Sequence, residues 1–139
     1  MTRIMAIDYG LKRTGLAVTD PLQIIATALA TVETPQLLDY LAQYLAKESV
    51  SAFVVGEPKN LDNTASEIAP QVEQLVQKLG AIYPNIPIHR IDERFTSKMA
   101  AQTLVQSGLK KKQRQNKALL DQVSAVLILQ TYMQLHSAI

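Results

Sequence analysis

The stretch RIMAID, Arg3–Asp8, sets Ile4, Met5, Ala6 and Ile7 in an unbroken apolar run that closes on a carboxylate. Such a short run without polar alternation marks a strand buried on both faces, with strands on either side and helices above and below. Downstream, TGLAVT (14–19) and IIATALATV (24–32) are β-branched or apolar runs parted by Asp20 and Pro21, which predicts three successive antiparallel strands joined by tight turns. Thr34 followed by Pro35 has the form of an N-cap and first helical residue. Leu37, Leu38, Leu41, Tyr44 and Leu45 then recur at helical spacing, predicting a helix to about Ser49.

Beyond this helix, AFVVG (52–56) reads as a fourth, short buried strand. Thr64 with Glu67 has the form of a capping box, but Pro70 lacks an amide and should kink that helix or delay its start to about Ala69. A fifth strand is predicted over 86–91, a helix over 96–108 and a last helix from about Asn116. Leu119, Leu120, Val123, Val126, Leu127, Tyr132 and Leu135 make that last helix apolar over most of its circumference, so it should pack centrally. Three strands followed by alternating strand and helix imply an α/β fold. Its mixed five-stranded sheet has three antiparallel strands, then two parallel to the first, with helices on both faces. That is the order of a ribonuclease H-like fold.

The chain has 139 residues and a mass of 15.3 kDa, so one domain spanning 1–139 is expected. Its 47% hydrophobic and 19% charged residues, with 5 Gly and 6 Pro, do not fit disordered, collagen-like or low-complexity classes. The absence of cysteine excludes disulfides, thiolate metal sites and a thiol nucleophile, and is compatible with a reducing cytoplasm. MTRIMAID carries too short an apolar stretch for a secretory signal. The uncharged run 122–139 is broken by Gln122, Ser124, Gln130, Gln134 and His136, so it reads as a buried helix. A cytoplasmic protein with no membrane partner is the expectation. Residues 1–93 carry 7 basic and 11 acidic side chains, whereas 94–139 carry 7 basic and one acidic, giving net charges of −4 and +6. The positive excess gathers in KKKQRQNK (110–117), where Lys110, Lys111, Lys112 and Arg114 are candidates for phosphate contact. Taken alone, that segment reads more simply as a charged, solvated loop.

In an open sheet, ligands bind beyond the carboxyl ends of the parallel strands. Asp8 ends the first strand, Glu57 follows the fourth, and Asp92 and Glu93 follow the fifth. Asp121 sits near the start of the apolar last helix, where an unpartnered carboxylate would be costly. Two carboxylates about 4 Å apart repel by about 4 kcal/mol at an effective dielectric near 20, so converging acids must hold a proton or a cation. Oxygen ligands without cysteine favour Mg²⁺ or Mn²⁺ over Zn²⁺. Glu57 and Asp92 are second-rank candidates, read first as loop polarity and strand-end capping. GLKRTG (10–15) lacks the lysine and hydroxyl of a P-loop, since Leu16 and Ala17 stand there. No nucleotide cofactor is expected, and Lys12 and Arg13 are candidates for substrate phosphate. Arg94 could position phosphate or orient Glu93. His89 and His136 have no Asp or Ser constellation and read as structural.

AIDYGLKRTGLAVTD (6–20), VVGEPKNLDNT (54–64), IDERFTS (91–97) and DQVSAVLILQTYM (121–133) together make the chain resemble the YqgF family, also called RuvX, over nearly its whole length. The resemblance implies a ribonuclease H-like (RuvC-like) fold with an Asp, Glu, Asp site that maps by motif onto Asp8, Glu93 and Asp121. It further implies a metal-dependent nuclease acting on nucleic acid: the 5′ region of precursor 16S rRNA, or Holliday junctions and other branched DNA. The chain departs from the family pattern at Glu57, which takes an apolar position, at Asn63, where glycine is common, and at Ser124. A non-catalytic RNA-binding assembly factor is the main alternative. An actin-like ATP-binding module would need two such domains, more than 139 residues supply. A monomer or a homodimer is equally compatible.

Overall fold

The computed structural model describes residues 2–58, 67–93 and 117–136, and over 117–121 the course of the chain alone. Strand β1 (Arg3–Asp8) lies at the centre of a five-stranded sheet of order β3-β2-β1-β4-β5, formed with β2 (Arg13–Thr19), β3 (Ala26–Glu33), β4 (Val50–Glu57) and β5 (Ile88–Asp92). β1 pairs antiparallel with β2 and parallel with β4, β2 antiparallel with β3, and β4 parallel with β5. This is the predicted mixed sheet, in which the central strand is flanked on both edges and covered on both faces.

Each face has its own core. Met5, Ile7, Leu16, Val18, Phe53 and Val55 meet Leu37 and Leu41 of α1 (Leu37–Lys47) and Val72, Leu75 and Leu79 of α2 (Ala69–Ile82). On the opposite face Ile4, Ala6, Ala17, Ala52, Val54 and Ile91 pack under Ala125, Ile128, Leu129 and Tyr132 of α3 (Lys117–Leu135). The alanines contributed by three adjacent strands make the floor under α3 shallow, so the helix can lie across β1, β2 and β4. The register steps from Arg3↔Val50 to Ile4↔Ala52, leaving Ser51 as a bulge residue. The bulge turns Val50 to the α1–α2 side.

Several predicted boundaries shift for identifiable reasons. β3 begins at Ala26, not Ile24, because the Asp20 carboxylate accepts the amides of Leu22, Ile24 and Ile25 at 3.1, 2.8 and 2.7 Å and holds them in a turn. Gln23 takes a left-handed φ of 59° in that turn. These amide bonds, Ile25's first, hold the Asp20 carboxyl below its ordinary pKa. β5 starts at Ile88. Pro87 has no amide to give a ladder, although its carbonyl accepts Phe53 N–H at 2.9 Å. α2 begins at Ala69 with Pro70 in its first turn, so of the two outcomes open to the proline the delayed start is the one seen. Leu135, counted in the apolar circumference of the last helix, is 70% exposed. Thr64 of the capping box, Asn63 and the helix predicted over 96–108 lie outside the described residues.

Thr34 is not the predicted N-cap. It opens a 3-10 turn (Thr34–Gln36) ahead of α1, and its hydroxyl donates to the Gly10 carbonyl at 2.6 Å and lies 3.0 Å from the Thr14 hydroxyl. Its amide donates to Lys12 O at 2.9 Å. The β1–β2 turn is therefore pinned to the β3–α1 junction. Gly10 is required there, since a Cβ would run into the Arg13 carbonyl. Thr34→Val keeps the shape but removes the hydroxyl bonds. It should lower stability by about 1–2 kcal/mol, read as a lower urea midpoint at unchanged slope; an unchanged midpoint would show that the pin carries no stability.

Candidate active site

Side chains alternate along a strand, so Ile4, Ala6 and Asp8 share the face covered by α3. Gly56 follows Val54 on that face of β4 and is paired with Ile91 of β5. Glu93, the residue after β5, brings its side chain over Gly56. A Cβ built on Gly56 would lie 2.5, 2.7 and 2.9 Å from Glu93 Cδ, Cγ and Oε1. The glycine thus leaves a notch that admits the carboxylate, a use of strand glycine for close approach.

Glu93 meets Asp8 across this notch. Asp8 as a residue keeps part of its surface accessible, yet protein surrounds its carboxyl closely enough that burial is the first cause of a pKa well above the ordinary carboxylate value. A hydrogen bond with the Glu93 side chain and repulsion from its charge push in the same direction. A hydrogen bond between two carboxyl groups needs a proton on one of them, and the raised pKa of Asp8 favours its protonated form. This pair contributes two hard oxygen ligands, a donor set that fits Mg²⁺ or Mn²⁺ and not a soft metal. Among the described residues no group of three His, Cys, Asp or Glu side chains is close enough to hold a metal. Asp121 lies on the helical stripe that continues through Ala125, Ile128 and Tyr132, all buried against the sheet, but its side chain is outside the described residues.

The remaining sequence candidates separate by face. Alternation from Val55 and Ile91 puts Glu57 and Asp92, paired in register, on the face opposite Asp8. Lys12 is exposed in the β1–β2 turn and Arg13 is half-buried at the start of β2. Arg94, Lys110, Lys111, Lys112 and Arg114 lie outside the described residues. Sequence reasoning gave no part to Arg90, whose guanidinium reaches over β4. Nε donates to Val55 O at 3.2 Å, Nη2 to Gly56 O at 3.5 Å and Nη1 to Glu73 of α2 at 2.7 Å. It braces the strand end that carries the notch. The signal available was a cation in the middle of the fifth strand, between His89 and Ile91. His89 and His136 also converge unannounced by their spacing. With Tyr132 they form a ring cluster, Tyr132 stacking on His136 at 4.3 Å and meeting His89 in a tilted contact at 4.9 Å, away from Asp8.

A five-stranded mixed sheet with acids meeting at the carboxyl end of its central strand defines the ribonuclease H-like class. Two solved structures share that fold over nearly their full length. They are the Thermus thermophilus RuvC in complex with a Holliday junction substrate (TM-score 0.59, 19% identity, 99% of this chain and 98% of that one) and a second Thermus thermophilus RuvC (TM-score 0.58, 17% identity, 96% of each chain). Within that class, residues 2–135 match the family described as "RuvX: Holliday junction resolvase", and the chain belongs to the RuvX family. Relatives named "Putative pre-16S rRNA nuclease" include one from Bacteroides thetaiotaomicron, 52% identical over 96% of this chain and 97% of its own length. Another, from Phocaeicola vulgatus, is 54% identical over 96% of each chain. No helix among the described residues is long and apolar enough to cross a membrane.

Because Asp8 binds its proton more tightly in the folded chain, folding is favoured at low pH and loses that contribution as pH rises from the ordinary Asp value through the raised folded one. Asp8→Asn removes the loss. In metal-free buffer at neutral pH the variant should melt roughly 2–6 °C above wild type, with the gap closing as pH falls toward about 4. Calorimetry across pH checks this; a wild type as stable as the variant at neutral pH contradicts a strained acid pair.

Proposed function

We propose that residues 1–139 act as one metal-dependent nuclease domain that hydrolyses phosphodiester bonds, with the 5′ region of precursor 16S rRNA as substrate. The observation that carries this is the meeting of Asp8 and Glu93 over Gly56 at the carboxyl end of the central strand. Asp8, Glu93 and Asp121 hold Mg²⁺ or Mn²⁺ in this account. The ion, when bound, supplies charge neutralisation at the phosphodiester and a more acidic water. Glu93 is oriented by the notch at Gly56, and Asp8 by its place at the rigid end of β1. Lys12, exposed beside this edge, offers its ammonium to a backbone phosphate, and Arg13, Arg94, Lys110, Lys111, Lys112 and Arg114 are the further cations proposed to contact substrate phosphate. The RNA substrate is supported by relatives at about half identity whose names specify pre-16S rRNA. Branched DNA is the second candidate, supported by the family description. A chain of this kind works in the cytoplasm, where precursor rRNA is found.

The test is a cleavage assay on precursor 16S rRNA and on a four-way DNA junction, with Mg²⁺ or Mn²⁺ and with chelator. Asp8→Asn, Glu93→Gln and Asp121→Asn should each lower turnover by about 10²-fold or more, and chelation should abolish it. Gly56→Ala keeps every acid but fills the notch, and should also lose turnover. Equal activity in wild type and the three acid variants would overturn the mechanism; faster cleavage of the junction would replace the RNA substrate with DNA.

A further inference from the structure

Directly across the sheet edge from the acid pair, a cleft of about 330 Å³ opens between the β1–β2 turn, the 3-10 turn and α2. Its size falls at the lower end of the range for small-ligand pockets, about 300–1,000 Å³. Tyr9, Leu11 and Pro35 supply aromatic and aliphatic walls, while Gln71, Gln74 and Lys78 supply amides and an ammonium. Among the described residues no carboxylate lines it. This combination suits a nucleotide: a ring for stacking, amides for a base edge and a cation for phosphate. Gln71 adds a second observation. Its side-chain carbonyl is buried beneath the cleft with no hydrogen-bond partner among the described residues, so swinging the amide toward a ligand sacrifices no existing bond to that oxygen.

The cleft is also placed for the chemistry. Tyr9 follows Asp8, so their Cα atoms are about 3.8 Å apart while their side chains leave toward opposite faces. Tyr9 packs against the α1–α2 core, and the Thr34 pin holds the turn that carries it. Leu11, 63% exposed at that turn, stands beside exposed Lys12 as an apolar edge next to a cation. A strand whose phosphate lies at Asp8 and Glu93 would reach the cleft by passing round this end of β1, one residue from the acid. A base inside a duplex is already paired and stacked and cannot enter.

We infer that this cleft binds one unpaired RNA base, stacked on Tyr9, next to the phosphate that is cut, so that the enzyme selects single-stranded RNA at that position. The inference rests on the nuclease function proposed above, and its test separates the two. Fluorescence anisotropy in chelator, which permits no hydrolysis, measures binding of a labelled single-stranded RNA 12-mer and of versions with one abasic site moved along it. Wild type should lose affinity between about 5- and 150-fold at one abasic position, the effect of one stacked base. Tyr9→Leu should bind the intact RNA as weakly as wild type binds that abasic RNA, with no further loss from the abasic site; Tyr9→Phe should behave as wild type. Gln71→Leu, on α2 and remote from the turn, should lower affinity for the intact RNA more than for the abasic one, which guards against misfolding of the Tyr9 variant. A flat abasic scan, or an undiminished position-specific loss in Tyr9→Leu, overturns the base site even if RNA is cleaved. A position-specific loss without cleavage in Mg²⁺ or Mn²⁺ leaves the base site standing and removes the nuclease function. Absence of RNA binding overturns the base site and the RNA substrate together, and leaves the nuclease function to the DNA-junction assay.

Discussion

A carboxylate forced against another carboxylate at the end of a buried strand is the constraint around which this protein is organised. Hydrophobic burial would be better served by ending β1 on an apolar residue, and electrostatics by pairing Asp8 with a cation. Among the described residues neither is found: burial and the nearby Glu93 together hold the Asp8 carboxyl toward its protonated form. Such an arrangement costs stability in the unbound protein and persists because the surrounding strands leave it no other geometry.

Three features that are not acids supply that geometry. Gly56 removes the one side chain that would displace Glu93. Arg90 ties the backbone at Val55 and Gly56 to α2 through Glu73, so the notch sits on a braced strand end. Thr34 fastens Gly10, Lys12 and Thr14 to the β3–α1 junction, which fixes the chain as it leaves Asp8. Each acts by hydrogen bonding to backbone or by vacating space, and the two-sided core transmits that rigidity. The cleft on the α1–α2 side shares the same turn, so base selection and phosphate chemistry would be set by one short segment.

The order and direction of the strands were legible because β1 and β4 carry short uninterrupted apolar runs, suited to strands buried on both faces and too brief for helices, while β2 and β3 carry β-branched or apolar runs parted by Asp20 and Pro21. The location of the acids at the carboxyl edge followed from that order. The misassigned details are those where a side chain competes with backbone regularity. Asp20 captures three amides and shortens β3, and Thr34 spends its hydroxyl on Gly10 instead of capping a helix. Neither choice has a periodic signature. The contribution of Gly56 depends on a residue 37 positions later arriving above it, a tertiary coincidence that hydropathy patterns do not encode. The same holds for His89 and His136, ordinary in isolation and neighbours only once α3 lies across the sheet.

The most direct measurement of the central interaction is a carbon-13 NMR titration of the Asp8 side-chain carboxyl in wild type and in Glu93→Gln, without divalent metal. Burial of Asp8 together with the hydrogen bond and charge of Glu93 predicts a wild-type midpoint well above the ordinary aspartate range that moves down when Glu93 loses its charge. An Asp8 carboxyl that titrates as an ordinary surface acid, with the same midpoint in both proteins, would contradict the account.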